Sequence, residues 1–225
     1  MVTIDTPGIV IFDMDSTLIT IECIDELAAL RGKKQQVSAI TEAAMRGELD
    51  FAASLRERVK VLNGVSATEM QQLFEPLPLA VGARQLIQWF KQHGWRTALV
   101  SGGFTWFSER VADALQLDAH RANQLHWQGS QLNGELSGEL SGPIVDAQAK
   151  ADYLCELATR WSIPLSNTIA VGDGANDQLM LAAAELGVAY CAKPMLREQA
   201  DWCIDEPDLM QLAKRLDAIN NNEKS

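Results

Sequence analysis

The fold is decided by one stretch near the start of the chain, Gly8 to Thr17, which reads GIVIFDMDST. Its apolar run, Ile9 to Phe12, stops abruptly at Asp13. A continuous apolar run rich in Val and Ile, rather than an alternating one, is typical of a strand that is covered on both faces. The stretch therefore predicts a buried strand whose carboxyl end delivers Asp13 and Asp15 to one polar site.

Two further apolar runs end in the same abrupt way. Thr97 to Val100 leads into Ser101-Gly102-Gly103, and Thr168 to Val171 leads into Gly172-Asp173-Gly174. Helical patterns lie between the runs, and strands that alternate with helices predict an α/β fold with a central parallel sheet flanked by helices. Such sheets bind ligands beyond the carboxyl ends of their strands. We therefore expect the three polar clusters to share one site.

A long insertion separates the first two of these strands, with more than eighty residues of chain between them. Residues 20–76 have a helical pattern, whose clearest apolar stripe consists of Phe51, Leu55, Val59 and Leu62. We predict a helical cap at 20–76, placed over the strand ends, and a catalytic core made of 1–19 and 77–225. Within the core, polar and apolar residues alternate over 124–140 and predict a β-hairpin.

Composition limits the classes of partner. The chain has 225 residues, 47% of them hydrophobic, and a formal net charge of -11. This negative charge disfavours nucleic acid and anionic lipid, and no apolar run approaches the roughly 20 residues of a membrane span. The four cysteines form no C-x-x-C pair and lie in apolar stretches, so we predict buried, reduced thiols in a cytoplasmic protein.

Asp13 and Asp15 are carboxylates two positions apart, directly after the first strand. Residues at this spacing leave a strand on the same side, and their mutual repulsion raises the proton affinity of one unless a cation intervenes. A divalent ion with one protonated carboxyl suits phosphate-ester hydrolysis, because one carboxylate can attack phosphorus while the other protonates the departing alkoxide. On its own, the pattern fits a solvated turn or a helix cap equally well.

A second acidic cluster, Gly172 to Asp177, favours the phosphohydrolase interpretation, because Asp173 and Asp177 add oxygen ligands that suit Mg²⁺. The cluster lacks the ligand series of a calcium loop, and Asp177 stands where a dinucleotide loop needs its third glycine. Ser101-Gly102-Gly103 can offer a hydroxyl and N–H groups to phosphate, or can be a simple tight turn. Lys150 can compensate the acidic groups, or can be solvated surface.

The chain resembles the haloacid dehalogenase (HAD) superfamily of phosphohydrolases through motifs in the same order, namely Asp13-x-Asp15-x-Thr17, Ser101-Gly102-Gly103, Lys150 and Gly172-Asp173-Gly174-x-Asn176-Asp177. Within it, the chain resembles bacterial phosphoserine phosphatases from about Gly8 to Leu212, through Glu22-Cys23-Ile24-Asp25-Glu26, Ala44-Met45-Arg46-Gly47-Glu48-Leu49, Phe51 and Ser54-Leu55-Arg56-x-Arg58-Val59. The resemblance implies a Rossmann-like core and Mg²⁺-dependent hydrolysis of O-phosphoserine through an aspartyl-phosphate, the last step of serine biosynthesis.

The resemblance also implies a role for each motif residue. Asp13 would be the nucleophile, and Asp15 the general acid and then the general base. Mg²⁺ would be held by Asp13, the backbone carbonyl of Asp15, and Asp173, with support from Asp177. The phosphoryl group would be bound by Ser101, Gly102, Lys150 and Asn176. The rest of the substrate would meet Glu22 at its ammonium, Arg58 at its carboxylate, and Met45 and Phe51 along the pocket.

In the roles that the resemblance implies, Glu22 and Arg58 would discriminate between substrates, because a zwitterionic amino acid needs one anion and one cation. Without the resemblance, both would be interpreted as exposed helix charges. The alternative function is a phosphatase or phosphotransferase for another small phosphomonoester, such as phosphohomoserine or phosphothreonine. A receiver-type phosphoacceptor is disfavoured, because it needs no cap. We expect a small-molecule substrate, a monomer or homodimer, and no regulatory domain before the first strand.

Overall fold

A seven-stranded sheet forms the centre of the molecule. The computed structural model describes residues 2–45, 48–130 and 134–223. The strands of these residues are β1 (Ile9–Phe12), β2 (Arg96–Phe104), β3 (Ala119–Gln128), β4 (Glu135–Ser141), β5 (Thr168–Gly172), β6 (Leu186–Tyr190) and β7 (Trp202–Ile204). They lie in the order β4-β3-β2-β1-β5-β6-β7, and all neighbours are parallel except β3 and β4. The predicted α/β fold with a central parallel sheet is confirmed.

Helices cover both faces of the sheet and fill the connection between β1 and β2. They are α1 (Cys23–Ala29), α2 (Lys34–Met45), α3 (Phe51–Lys60), α4 (Ala67–Leu73), α5 (Ala83–Gln92), α6 (Thr105–Leu115), α7 (Ala147–Trp161), α8 (Gln178–Ala183), α9 (Pro194–Arg197) and α10 (Met210–Glu223). Two apolar layers result, because alternate residues of β1 point to opposite faces. Val10 and Phe12 pack into one layer and Ile9 and Ile11 into the other, and all are fully buried.

The apolar runs of the three central strands end at nearly the same level, although β2 continues to Phe104. Phe12 of β1 lies beside Leu99 of β2 and Val171 of β5. The backbone N–H of Asp13 then donates to the carbonyl of Val171 at 2.9 Å. The polar residues that follow each apolar run therefore emerge at one edge of the sheet, where parallel α/β sheets bind their ligands.

The connection between β1 and β2 is helical, as its sequence pattern predicts, and contains α1 to α5, of which α1 to α4 lie within residues 20–76. Leu55, Val59 and Leu62 of the predicted stripe are buried, whereas Phe51 is half-buried. The side chain of Asp50 accepts the N–H of Ala53 at 2.7 Å and so begins α3. We call α1 to α4 with their connections the helical segment. Its division from the core at residues 20 and 76 stays a prediction.

The helical segment also makes backbone hydrogen bonds to the sheet, through the connection between α3 and α4. β3 and β4 form the hairpin predicted over 124–140, with residues 131–133 outside the described part of the chain. The backbone of β4 pairs with the connection between α3 and α4, because Gly64 N–H donates to the carbonyl of Leu136 and Leu136 N–H donates to the carbonyl of Val65, each at 2.8 Å. The segment is thus joined to the sheet by backbone hydrogen bonds as well as by its two chain connections.

The prediction that all cysteines are buried is wrong. Cys23 is buried, whereas Cys155 and Cys191 are exposed and Cys203 is half-buried, all four as free thiols. Cys155 sits on the outer face of α7, next to the inward-facing Leu154, because an amphipathic helix exposes some positions of an apolar stretch. Among the described residues, no helix has the length and apolar character that crossing a membrane requires.

Candidate active site

The turn after β1 places two carboxylates in the site. Asp13 is 3% exposed and Asp15 is 8% exposed. The chain leaves the strand through Ser16, whose φ of 55° lies in the left-handed region, and the N–H of Ile19 donates to the carbonyl of Met14 at 3.0 Å. Non-glycine residues in this region are strained, and such strain is concentrated at functional sites. The turn holds both acids against the end of the sheet.

The segment Ser101-Gly102-Gly103 approaches these acids from β2. It is extended strand rather than a tight turn, because β2 continues to Phe104, beyond the end of its apolar run. The hydroxyl of Ser101 accepts the N–H of Gly103 at 2.8 Å. A Cβ atom at Gly103 would lie 2.8 Å from Oδ2 of Asp15, closer than side chains pack. Glycine at this position therefore makes room for the Asp15 carboxylate.

Lys150 supplies a buried positive charge. It is fully buried near the start of α7, where the side chain of Asp146 accepts the N–H of Ala149 at 2.9 Å and begins the helix. Its ammonium donates to Oδ1 of Asp13 at 2.7 Å and to Oδ1 of Asp177 at 2.6 Å. Lys150 is therefore not solvated surface, because a lysine tolerates such burial only when it is paired.

Burial dominates the protonation of these groups. It raises the pKa of Asp13 to about 7, with the charge of Asp177 adding to the shift and Lys150 opposing it. Burial likewise raises the pKa of Asp15 and that of Asp173. For Lys150, burial acts to lower the pKa, but the charges of Asp13 and Asp177 raise it above its ordinary value. The charges around Lys150 therefore favour its charged form, while burial favours the protonated forms of Asp13, Asp15 and Asp173, a tendency that a further cation would oppose.

The acids at this edge can hold a divalent cation. Asp13, Asp173 and Asp177 each offer an oxygen, and these oxygens lie within 4.8 Å of one another. Asp177 is already engaged, since Lys150 donates to its Oδ1 and the N–H groups of Asp173 and Gly174 donate to its Oδ2 at 3.1 and 3.2 Å. Oδ1 of Asp173 is buried with no hydrogen-bond partner among the described residues. Such an orphaned oxygen needs a partner, and the donor set fits a divalent cation.

Two charged side chains reach the site from the helical segment. Oε1 of Glu22 accepts the hydroxyl of Ser16 at 2.6 Å. Arg58 is 4% exposed, and it donates through Nη1 to Oγ1 of Thr41 at 3.0 Å and through Nε to the carbonyl of Ser54 at 3.3 Å. Burial raises the pKa of Glu22 and lowers that of Arg58. Neither residue is an exposed helix charge, because Arg58 is buried and Glu22 is half-buried.

One pocket brings together most of the residues that the sequence indicates. It is lined by Asp13, Asp15, Glu22, Phe51, Arg58, Ser101, Gly102 and Asn176. Lys150, Asp173 and Asp177 adjoin Asp13 on the core side of the pocket. The side chain of Met45 lies outside the described part of the structure. The pocket therefore lies between the strand ends and the helical segment.

Some residues of the pocket receive no individual role from the sequence. These are Ile24, Thr41, Ala44, Leu55, Gly103 and Phe104. Thr41 and Ala44 lie three positions apart on α2, so helical periodicity alone places them on one face. Periodicity does not say which helix this face packs against. A threonine in a helix also gives no chemical signal that would mark a functional site. The hydroxyl contacts of Thr41 and Ser16 therefore emerge only from the tertiary structure.

The fold and the site define a hydrolase class. A family model described as haloacid dehalogenase-like hydrolase matches residues 8–185, and the chain belongs to this family. Phosphatases of this family generally use a divalent metal, which agrees with the acidic cluster of Asp13, Asp173 and Asp177.

Relatives with high sequence identity narrow the class. The phosphoserine phosphatase of Idiomarina loihiensis is 54% identical over 205 residues, which cover 91% of this chain and 91% of that relative. The phosphoserine phosphatase of Haemophilus influenzae is 47% identical over 211 residues, which cover 94% of this chain and 66% of that relative. A solved phospho-aspartyl intermediate analogue of phosphoserine phosphatase is 38% identical, with a TM-score of 0.88, over 93% of this chain and 99% of that one.

Proposed function

We propose that the protein is a phosphoserine phosphatase, which hydrolyses O-phosphoserine to serine and phosphate as the last step of serine biosynthesis. The observation that carries the proposal is the charge distribution of a single pocket. Asp13 and Asp15 approach it from the strand ends, while Glu22 and Arg58 approach it from the helical segment. Acids at a phosphoryl site, together with one anion and one cation beyond it, match a phosphorylated amino acid. The phosphoserine phosphatase relatives support the same substrate.

Asp13 is the proposed nucleophile. A carboxylate oxygen of Asp13 forms a bond to phosphorus as the bond from phosphorus to the serine oxygen breaks, which yields an aspartyl-phosphate. Lys150 favours this role, because its ammonium, 2.7 Å from Oδ1, orients the carboxylate and stabilises its charged form. The buried position of Asp13 also keeps bulk water away from the intermediate.

Asp15 is the proposed general acid and base. Its raised pKa, caused by burial and by the charge of Glu22, favours the protonated form that must donate to the departing serine oxygen. In the second half of the reaction, the resulting carboxylate takes a proton from water as that water attacks phosphorus. The bond from phosphorus to Asp13 then breaks, phosphate is released, and both carboxyls return to their starting states.

Mg²⁺ is the proposed metal. Asp13, the backbone carbonyl of Asp15, and Asp173 would hold it, with Asp177 fixing the surrounding backbone. When bound, Mg²⁺ would supply positive charge for the phosphoryl oxygens and for the crowded carboxylates. The orphaned Oδ1 of Asp173 supports this assignment, since hard oxygen ligands suit Mg²⁺.

The phosphoryl group and the amino-acid end are bound by different parts of the chain. For the phosphoryl oxygens we propose Ser101, Gly102, Lys150 and Asn176. For the amino-acid end we propose Glu22 at the ammonium, Arg58 at the carboxylate, and Met45 and Phe51 along the side. In this scheme, residues 20–76 are the cap domain that selects the substrate. We also propose that the protein is cytoplasmic, which agrees with its free thiols. For the oligomeric state we propose a monomer or a homodimer.

A phosphate-release panel tests the proposal. The purified protein is incubated with L-phosphoserine, phosphothreonine, phosphohomoserine and phosphoethanolamine, each with Mg²⁺ and with EDTA. We expect kcat/KM to be highest for phosphoserine and activity to vanish in EDTA. A higher kcat/KM for phosphohomoserine or phosphothreonine would replace the substrate assignment, and full activity in EDTA would contradict the metal assignment.

A further inference from the structure

A buried chain of polar groups crosses the helical segment behind the pocket. It runs from Asp25 on α1 through Thr41 on α2 to Arg58 on α3, and these residues are 5%, 4% and 4% exposed. The hydroxyl oxygen of Thr41 lies 2.8 Å from Oδ1 of Asp25 and 3.0 Å from Nη1 of Arg58. Three helices are therefore connected through one hydroxyl group.

The direction of these hydrogen bonds follows from the chemistry of the groups. A guanidinium can only donate, so the Thr41 oxygen accepts from Arg58. The single hydroxyl proton of Thr41 can then go to Asp25 at 2.8 Å or to the carbonyl of Val37 at 3.1 Å. The carboxylate is the closer acceptor and the charged one, so it takes the proton. Thr41 thus stands between a buried anion and a buried cation.

This arrangement leaves Arg58 compensated without a direct carboxylate partner. Within the described residues, no salt bridge joins Arg58 to an acid, and its hydrogen bonds go to Ser54 and Thr41. A direct bidentate pair with Asp25 would occupy the donor fork that a substrate carboxylate requires. The threonine spacer keeps the negative charge of Asp25 close, while Nη2 of Arg58 makes no hydrogen bond in the described part of the chain. Thr41 itself also lines the pocket.

We propose that Thr41, itself held by Asp25, is a positioning residue that sets the guanidinium of Arg58 for the substrate carboxylate. The inference rests on the proposed function, because it requires a substrate with a carboxylate. Its distinctive feature is selectivity: the loss of the hydroxyl should weaken recognition of the amino-acid end and leave the phosphoryl end unchanged.

The test compares Thr41→Val, which removes the hydroxyl at nearly constant shape, with Thr41→Ser, which keeps it. Two quantities are measured for each variant and for the wild type: KM for L-phosphoserine, and the inhibition constant of inorganic phosphate, which has no carboxylate. We expect Thr41→Val to raise KM about tenfold, the usual size for a hydrogen bond to a charged group. The phosphate inhibition constant should stay within about twofold, and Thr41→Ser should restore KM.

A second variant keeps the inference falsifiable if Thr41→Val does not fold. Asp25→Asn keeps the shape of the Asp25 side chain and removes its charge. We expect this variant to raise KM for L-phosphoserine about threefold without changing the phosphate inhibition constant. An unchanged KM in both variants, or an equal rise in KM and in the phosphate inhibition constant, would overturn the inference while the wild type remains active. A wild type inactive on phosphoserine would instead overturn the proposed function, and this inference with it.

Discussion

The two halves of the pocket hold their charges in different ways. On the core side, Lys150 bonds directly to the carboxylates of Asp13 and Asp177, and all three side chains are buried. On the side of the helical segment, Glu22 and Arg58 each bond to a hydroxyl, that of Ser16 and that of Thr41. Direct ion pairs fix a geometry before any ligand arrives. A hydrogen bond to a hydroxyl orients a charged side chain without neutralising it. The charge therefore remains available to a substrate.

The difference suits the proposed division of labour. The phosphoryl half must present the same groups for every phosphate ester, so rigidity there aids the chemistry. The other half must distinguish one amino acid from its analogues, so its charges gain selectivity when they stay unpaired until the right substrate binds. The predictions below aim at one half at a time, in decreasing order of expected effect.

The largest effect is expected at the core. Asp13→Asn removes the nucleophile and should lower kcat by about a thousandfold or more, for phosphoserine and for an aryl phosphate alike, because both need the same attack on phosphorus. Steady-state phosphate release measures it, with circular dichroism as the control for folding. An unchanged rate in this variant would contradict the nucleophile assignment.

The second-largest effect is expected on the stability of the protein when the buried cation of the core is removed. Lys150→Met leaves Asp13 and Asp177 buried without their cation and should lower the free energy of unfolding by about 3–5 kcal/mol. The matched control is Arg160→Met, which breaks an exposed pair with Glu156 and should cost at most about 1 kcal/mol. Urea denaturation in EDTA measures both. Equal losses would show that the buried pairs matter no more than a surface pair.

On the other half, Arg58→Ala should separate two substrates. It should reduce kcat/KM for phosphoserine about a hundredfold, because a charged donor to the substrate carboxylate is lost. An aryl phosphate has no carboxylate, so its kcat/KM should change by less than about threefold. Both values come from one enzyme preparation. Equal losses on the two substrates would place Arg58 outside substrate recognition and favour another phosphomonoester as the substrate.

The smallest effect is a pH dependence of the metal-free protein. The folded state holds the pKa of Asp13 at about 7, above its ordinary value of 3.8, so the native state binds the extra proton between these values. Stability contributed by that proton is present at low pH and is lost as pH rises through 7. We expect the Tm in EDTA to fall by about 2–4 °C from pH 6 to pH 8.

Two controls sharpen this last measurement. Asp13→Asn lacks this titrating carboxyl and should reduce the pH dependence. Addition of Mg²⁺ should raise Tm more at pH 8 than at pH 6, because protons no longer compete for the carboxylates. A Tm in EDTA that rises between pH 6 and pH 8 would contradict the account of the core charges given above.

The sequence predicts the strand ends better than the contacts between helices. Apolar runs ending in Asp13, Ser101 and Gly172 place these residues at one edge, because parallel strands share a direction. No comparable rule says that Thr41 meets Arg58, since helix packing depends on side-chain shapes along whole surfaces. The prediction that all cysteines are buried is wrong for a related reason. Apolar neighbours in sequence do not say whether Cys155 lies on the buried or the exposed face of α7.

The pairing of β4 with the connection between α3 and α4 has a consequence for protein engineering. A chimaera that exchanged residues 20–76 alone would set the donor's counterparts of Gly64 and Val65 against a foreign strand. Backbone bonds across that junction need matched spacing and twist as well as compatible side chains. An exchanged helical segment therefore needs a connection between α3 and α4 that still matches the backbone of β4, although the two pieces are distant in sequence.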